Sequence, residues 1–250
     1  MIPLRGLPEI RRGADLAALV ARAAHEQETP FQRGDVLVLA QKAVSKAEGR
    51  VVRLSSVRPS ALARAWAPRL GQDPRQVEVV LRESRRVLRM TERVLIVETR
   101  HGFVCANAGV DRSNVPAGRG RAGACVTCLP VAPDASARAI AARLRQRTGV
   151  AVPVIVSDTF GRPWRLGLVN VAIGAWGLRV LADLRGTPDL QGHRLRATIL
   201  AVADELAAAA GLVMGKTAGV PAVIVRGYRW RPASEPARRM IRPAAEDLFR

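Results

Sequence analysis

Residues 154–167, VIVSDTFGRPWRLG, decide how the rest of the chain is interpreted. The apolar, β-branched run at residues 152–156 predicts a buried strand that ends at Ser157 and Asp158, where a loop rich in Gly, Pro and Arg begins. In sheets with helical crossovers, ligands gather at the carboxyl ends of strands. Asp158 and Thr159 would offer hard oxygen atoms to a divalent cation. The stretch alone is equally compatible with a turn in which Asp158 caps a backbone amide.

Composition limits the class of protein. The chain has 250 residues, of which 48% are hydrophobic and only 4% aromatic, so its core must be built mainly from Val, Leu, Ile and Ala. The formal net charge of +19 suggests an anionic partner. Arginines are spread over all the predicted helices, however, and one Tyr and four Phe are too few to stack bases between them. The sequence therefore argues against nucleic acid as the partner.

Lysine is rare in this basic chain. Only three of the 40 basic residues are lysines, namely Lys42, Lys46 and Lys216. A site that needs a compact ammonium group cannot accept guanidinium freely, so these lysines are candidates for function. Two of them follow a strand predicted at residues 35–40, in what we predict to be a compact basic loop, with an ordinary solvated hairpin as the alternative. Lys216 follows the long helix predicted at residues 195–213, in a loop of small residues suited to phosphate.

A second polar loop is the natural partner of the opening stretch. It follows a strand predicted at residues 102–106 and carries several oxygen-bearing side chains, among them Asp111 and Asn114. A single Asp in a turn is usually a cap. Two aspartates after two strands, Asp111 and Asp158, favour a site for a divalent metal.

The remaining chemical patterns are weaker. Arg162 and Arg165 would offer forked donors to phosphate or carboxylate. Cys125 and Cys128 form a CxxC pair, but no second pair or HxxxH pattern completes a zinc site. Three cysteines and the lack of a signal segment predict a reduced, cytoplasmic protein. No apolar run reaches the roughly 18 residues of a membrane span, so no membrane partner is expected.

These features together predict a nucleotide-dependent site. Two acidic loops would hold a divalent metal, and Lys and Arg side chains would orient phosphate groups during phosphoryl transfer or acyl activation. No Ser/His/Asp or Cys/His arrangement for nucleophilic catalysis is evident.

The ordered motifs of the chain resemble those of the coenzyme F420-0:L-glutamate ligase family, the γ-glutamyl ligases of coenzyme F420 biosynthesis. The motifs are LPEI, QKAVSKAEGR, GFVCANAGVDRSNV, SDTFGRPWR, AIGAWGL and ADELAAAAGLVMGK. The resemblance extends over about residues 2–228 and leaves residues 229–250 as a basic tail. It implies an α+β fold of mixed β-sheets with packed helices, one unit spanning residues 1–250, and an intertwined homodimer. Some relatives carry a fused reductase domain, which we expect this chain to lack.

The same resemblance implies an activity. It is the GTP-dependent ligation of L-glutamate to coenzyme F420-0, followed by γ-linked extension. The acceptor carboxylate would be activated as an acyl phosphate, which the amine of glutamate then attacks. GTP is the implied co-substrate, Mg²⁺ or Mn²⁺ the implied metal, and a monovalent cation such as K⁺ a further candidate. A related amide ligase that acts on a different acid is the alternative.

Matched residue by residue, the family's nucleotide-binding positions fall on three parts of this chain: Leu7, Pro8, Glu9 and Ile10; Gln41, Lys42, Lys46 and Asn114; and Met214, Gly215, Lys216, Thr217, Ala218, Gly219 and Val220. The metal ligands implied by the match are Asp111, Asp158 and Thr159, and the implied catalytic residues are Asp111, Asp158 and Lys46. Archaeal members carry a metal-coordinating side chain at the position of Lys216. An ammonium group cannot ligate a cation. Either a second metal is therefore held by Asp158, Thr159 and phosphate alone, or Lys216 contacts phosphate and replaces some of the charge of that metal.

Overall fold

A computed structural model describes residues 1–114 and 124–247, and this part of the chain contains six α-helices and twelve strands, besides short 3-10 turns. The helices are α1 (Leu16–Glu26), α2 (Gln41–Ala47), α3 (Ala61–Leu70), α4 (Pro74–Glu83), α5 (Pro133–Thr148) and α6 (Val202–Met214). The strands are β1 (Ile2–Pro3), β2 (Val36–Ala40), β3 (Val51–Arg53), β4 (Ser84–Met90), β5 (Leu95–Thr99), β6 (Val104–Ala106), β7 (Cys125–Thr127), β8 (Val154–Arg162), β9 (Arg165–Trp176), β10 (Ala182–Asp183), β11 (Ile199–Leu200) and β12 (Ala222–Val225).

The largest sheet has five strands in the order β1-β12-β2-β8-β9. The central pair, β2 and β8, is parallel, and the other neighbouring pairs are antiparallel. In the parallel register Ala40 lies opposite Ser157, so the residues that follow β2 lie beside Asp158. The mixed sheet and its helices confirm the α+β class that the family resemblance implies.

Both faces of this sheet are buried. On one face Leu37 and Leu39 of β2 share a hydrophobic core with residues of α1 and α5. On the other face Val36 and Val38 share a second core with residues of α6. A strand covered on both faces has no polar side, which is why β2 is a continuous apolar run in the sequence.

A third hydrophobic core joins α3 and α4 to the sheet β4-β5-β6 and to the pair β3-β7. The C-terminal segment then returns to the main sheet. Trp230 Nε1 donates a hydrogen bond to the carbonyl of Gly34, and the amide of Val180 donates to the carboxylate of Glu235. Within the described part of the chain, every helix is too short or too polar to cross a lipid bilayer.

The sequence predicts helix starts at Asp15, Ser60 and Asp73 and a further helix from Asp134, and all four helices are present. Asp15, Ser60 and Asp73 each accept a hydrogen bond from a backbone amide in the first turn of the helix that follows. The helix predicted from Asp134 is also present, but Asp134 does not cap it. Its carboxylate instead accepts hydrogen bonds from one backbone amide of β9 and one of the C-terminal segment.

Three predicted boundaries are wrong. Strand β8 runs through Asp158 to Arg162, because hairpin pairing with β9 satisfies its backbone along the polar residues. The basic segment after β2 is helix α2 rather than a loop or hairpin, in keeping with its Gln, Lys and Ala content. The helix predicted for residues 195–213 begins only at Val202, since Ile199–Leu200 pairs with β10.

Candidate functional site

A cavity of about 700 Å³ lies where the parallel strands β2 and β8 meet α2 and the end of α6. All three lysines of the chain line it: Lys42, Lys46 and Lys216. Its wall also contains most of the other residues predicted to bind nucleotide, namely Leu7, Pro8, Glu9, Ile10, Gln41, Asn114, Met214, Gly215, Gly219 and Val220. The volume is within the range of small-molecule sites in proteins.

Helix α2 brings two lysines to the cavity. It begins directly after β2, and Lys42 and Lys46 lie four residues apart and therefore on one face. Lys42 Nζ donates to Asp111 Oδ2 at 2.6 Å and to the carbonyl of Ser113 at 3.0 Å. Lys46 Nζ donates to Glu9 Oε1 at 2.5 Å. Each ammonium group thus ties α2 to a different loop of the site.

Asp111 is held by both its backbone and its side chain. Its amide and carbonyl exchange hydrogen bonds with Thr127, and its carboxylate accepts from Lys42 and from the amide of Ser113. Burial alone would raise the pKa of Asp111, but these hydrogen bonds hold that pKa below its usual value. Asp111 does not itself line the cavity, and it is connected to the cavity through Lys42.

Asp158 lies inside β8 and not, as the sequence suggested, at the end of a strand. A register shift follows Val156, and such a bulge changes the direction of the side chains beyond it. Asp158 and Thr159 both line the cavity. Burial raises the pKa of Asp158 to about 6, and the negative charge of Asp111 acts in the same direction. The positive charges of Lys216 and Lys42 oppose this rise.

The loop after α6 forms the opposite wall. Lys216 Nζ donates to Thr159 Oγ1 at 3.2 Å, and the carbonyl of Lys216 accepts from Asn114 Nδ2 at 3.2 Å. The loop that carries Asn114 therefore contacts the loop that carries Lys216, and both were predicted to bind nucleotide. Thr217 and Ala218, also predicted to bind nucleotide, do not line the cavity.

Asn170 is a cavity residue that the sequence analysis missed. It lies opposite Thr159 in the β8–β9 hairpin, and its Oδ1 accepts a hydrogen bond from Thr159 Oγ1 at 3.0 Å. The absence of a side chain at Gly211 makes room for it, since a Cβ atom there would lie 2.9 Å from Asn170 Cγ. The pairing could have been found by continuing β8 through Asp158 to the hairpin turn.

Two other predicted features lie elsewhere. Arg162 and Arg165 flank the hairpin turn and do not line the cavity, and Arg162 donates to the carbonyl of Leu166 at 2.6 Å. In the CxxC pair, burial raises the pKa of Cys128 to about 12, so this thiol stays protonated at neutral pH.

The oxygen atoms at the cavity suit a hard cation in part. Over residues 1–114 and 124–247, no group of three or more His, Cys, Asp and Glu side chains could hold a metal ion. Asp111, Asp158 and Thr159 offer two carboxylates and a hydroxyl, and Mg²⁺ in nucleotide sites commonly uses one or two carboxylates together with phosphate and water. Asp158 and Thr159 line the cavity and match this chemistry, whereas Asp111 lies behind Lys42 and would first have to separate from it.

Comparison with known proteins assigns the chain to a family. The sequence pattern described as F420-0:Gamma-glutamyl ligase matches residues 6–227. A protein of Methanothermobacter thermautotrophicus named coenzyme F420:L-glutamate ligase is 45% identical over 253 residues, which cover 100% of this chain and 98% of the relative. Proteins of the same name from Methanopyrus kandleri and Methanocaldococcus jannaschii are 49% and 42% identical, over 97% and 88% of this chain and 94% and 86% of the relatives. The chain therefore belongs to the F420-0:gamma-glutamyl ligase family.

Proposed function

We propose that this chain ligates L-glutamate to coenzyme F420-0, with GTP as the source of energy. The names of its relatives support glutamate and coenzyme F420 as the reactants. One observation carries the nucleotide part of the proposal: the only three lysines among 40 basic residues line one cavity together with Asp158 and Thr159. A lysine side chain binds phosphate as a compact point charge, which guanidinium does not reproduce.

Phosphate groups that enter the cavity would replace the carboxylates now paired with two of its lysines. Lys42 is neutralised by Asp111, and Lys46 by Glu9. The side chain of Lys46 is only 11% exposed whereas that of Glu9 is 61% exposed, so Glu9 can turn toward solvent and leave the ammonium group to the nucleotide. Lys216, in the exposed loop after α6, would contact the same phosphates from the other side.

Asp111, Asp158 and Thr159 would hold Mg²⁺ or Mn²⁺. When bound, the ion neutralises charge on the phosphate oxygens during transfer. Release of Asp111 by Lys42 would free one carboxylate for this role and one ammonium group for phosphate. Because Lys216 already contacts Thr159, it can supply positive charge at the position where archaeal members would place a second ion. A role for K⁺ stays a prediction.

The reaction would proceed in two steps. The terminal carboxylate of F420-0 attacks the γ-phosphorus of GTP, forms an acyl phosphate and releases GDP. The amine of L-glutamate then attacks the acyl carbon, forms the amide bond and expels phosphate. Lys46 and Lys216 would stabilise the negative charge on the phosphoryl oxygens as it is transferred. Repeated rounds would extend the product by γ-linkage.

Product mass tests this proposal directly. Purified protein with GTP, Mn²⁺, L-glutamate and F420-0 is expected to give a product heavier by one or more glutamyl units, with one GDP formed for each unit. GTP hydrolysis without a gain in product mass would contradict it. The same assay with other carboxylic acids in place of F420-0 tests the alternative of a related amide ligase, and ATP in place of GTP tests the choice of nucleotide.

We also propose a homodimer. The β8–β9 hairpin extends apolar side chains into solvent, with Leu166 97% exposed and Leu168 64% exposed. Apolar side chains clustered on one exposed hairpin commonly mark a protein–protein interface. Light scattering is expected to give twice the chain mass of 26.9 kDa, and a Leu166→Asp, Leu168→Asp variant is expected to give a monomer. A mass of one chain for the wild-type protein would contradict the proposed dimer.

A further inference from the structure

A second cavity, of about 850 Å³, lies between the β4–β5 hairpin and the C-terminal segment. It shares no lining residue with the cavity that holds the three lysines. Five arginines line it: Arg85, Arg86, Arg238, Arg239 and Arg242. Among the described residues of its wall, Glu98 is the only acid. The cavity is therefore strongly positive, and none of the residues assigned to the proposed ligation lines it.

A strand irregularity places two of these arginines side by side. Successive residues of a regular strand point to opposite faces of the sheet. The β4–β5 register shifts between Ser84 and Arg86, so that Arg85 and Arg86 both reach the same carboxylate, that of Glu98, at 3.4 Å and 2.7 Å. The side chain of Glu98 is only 8% exposed, which makes it a buried anchor for two guanidinium groups. Each guanidinium has five N–H donors, so both keep donors for a further anion.

The other three arginines come from the C-terminal segment. Arg239 pairs with Glu235, four residues earlier in the chain. Arg238 and Arg242 form no side-chain hydrogen bond or ion pair within residues 1–114 and 124–247. Positive charge on this wall therefore exceeds what the described carboxylates neutralise.

The two walls of the cavity contact each other near Gly102. Gly102, in the turn after β5, has a φ of +95°, and a Cβ atom there would lie 3.3 Å from Ile241 Cδ1. The C-terminal segment thus packs closely on this turn. Next to Gly102, His101 also lines the cavity; its Nε2 bonds to the carbonyl of Pro130 at 2.8 Å, and its Nδ1 is buried without a partner among the described residues.

We propose that this second cavity binds a small polyanion that carries two or more phosphate or carboxylate groups. Guanidinium is the side chain best matched to these groups, because its planar fork donates two parallel hydrogen bonds. The general abundance of arginine does not account for the site. Arginines that only keep a surface soluble can lie anywhere on it, whereas these five come from two distant parts of the chain and surround one concave space.

Calorimetric titration tests the proposal with two probes, inorganic tripolyphosphate and γ-linked triglutamate. The titrations use a variant in which Lys42, Lys46 and Lys216 are all alanine, so that the first cavity contributes little anion binding. In this background, Arg238→Ala with Arg242→Ala is expected to weaken binding of at least one probe by roughly tenfold or more. The matched control, Arg64→Ala with Arg69→Ala, removes two charges from exposed positions of α3 and is expected to leave binding unchanged.

The probe that binds more tightly identifies the chemical class of the ligand. Preference for tripolyphosphate assigns the site to a phosphate ligand, and preference for triglutamate assigns it to a polycarboxylate such as a glutamyl chain. Equal binding by the background, the pocket variant and the control overturns the proposal, as does a lack of binding to the background.

A second measurement on the unmodified chain removes any dependence on how the variants fold. Phenylglyoxal modifies accessible arginines, and mass spectrometry of peptides then locates the modified positions. The bound polyanion is expected to protect Arg238 and Arg242 at least roughly threefold more than Arg64 and Arg69, if it occupies most of the sites. Equal protection of both pairs would contradict a specific site.

Discussion

Lys42 Nζ lies 2.6 Å from Asp111 Oδ2, so a carboxylate predicted to bind a divalent metal is neutralised by an ammonium group. The contact joins helix α2 to the loop after β6, and its lysine side chain is 18% exposed and its aspartate side chain 40% exposed. In the proposed function, the nucleotide phosphate would pair with Lys42 and the cation would bind Asp111, so the two ligands together would replace this ion pair. In the structure without ligands, the ion pair therefore leaves neither the ammonium group of Lys42 nor the carboxylate of Asp111 unpaired.

The first prediction concerns the carboxylates. Asp111→Ala and Asp158→Ala are each expected to lower ligase turnover by roughly a hundredfold or more, because each removes an oxygen donor for the metal. Steady-state assays measure turnover, and electron paramagnetic resonance of Mn²⁺ measures binding of the ion. Asp183→Ala is the matched control, since Asp183 forms an exposed pair with Arg185 away from the cavity. Near-normal turnover and Mn²⁺ affinity in both variants would contradict the metal assignment.

The second prediction concerns Lys46. Lys46→Ala is expected to weaken GTP binding by roughly tenfold or more, because a hydrogen bond to a charged phosphate is lost. Lys46→Arg is expected to recover only part of this loss, since guanidinium differs from ammonium in size and shape. Calorimetry with GTP measures both. Arg11→Ala, which removes an exposed charge beside the segment that carries Glu9, should leave the affinity unchanged, and an equal loss in this control would indicate a non-specific charge effect.

The third prediction concerns pH. The pKa of Asp158 is about 6 in the folded chain against an ordinary value of 3.8, so the folded state binds this proton more tightly than the unfolded state. The carboxyl group therefore contributes most to stability below about pH 4, and this contribution is lost as the pH rises through 6. Without divalent metal, Asp158→Asn is expected to raise the free energy of unfolding at pH 8 by about 1–3 kcal/mol, and the gain should vanish near pH 4.

Urea denaturation of both proteins across this pH range measures the difference. Added Mn²⁺ is expected to stabilise the wild-type chain at pH 8 and to have little effect on Asp158→Asn. A difference in stability that stays constant with pH would show that titration of Asp158 is not its cause.

The fourth prediction concerns Gly211. An added methyl group would lie 2.9 Å from Asn170 Cγ and would push that side chain away from Thr159. Gly211→Ala is therefore expected to lower turnover by roughly tenfold through misplacement of the Thr159 hydroxyl, while the helix itself gains up to about 1 kcal/mol in propensity. Leu212→Ala, at an exposed position of the same helix, is the control. Full activity in Gly211→Ala would show that the Asn170–Thr159 contact does not position the hydroxyl.

Local signals in the sequence determined a large part of the fold. The apolar run at residues 35–40 located β2, and polar caps such as Asp15 and Ser60 located helix starts, because each signal depends on a few consecutive residues. The rarity of lysine also pointed to the predicted site before any tertiary contact was known. None of these predictions depends on tertiary contacts between segments of the chain.

Tertiary structure alone decided how the segments of the site converge. The parallel register that sets Ala40 beside Ser157 brings α2 to Asp158, and no local pattern encodes this pairing. Asn170 was missed for a different reason: the predicted strand ended before Thr159, whereas β8 continues into a local hairpin in which Asn170 lies opposite Thr159. Strand register and burial depend on contacts between residues far apart in the chain. The sequence by itself therefore identified Asp158 as a candidate, whereas its half-buried position and its charged neighbours, Lys42, Lys216 and Asp111, were set by the packing of the whole sheet.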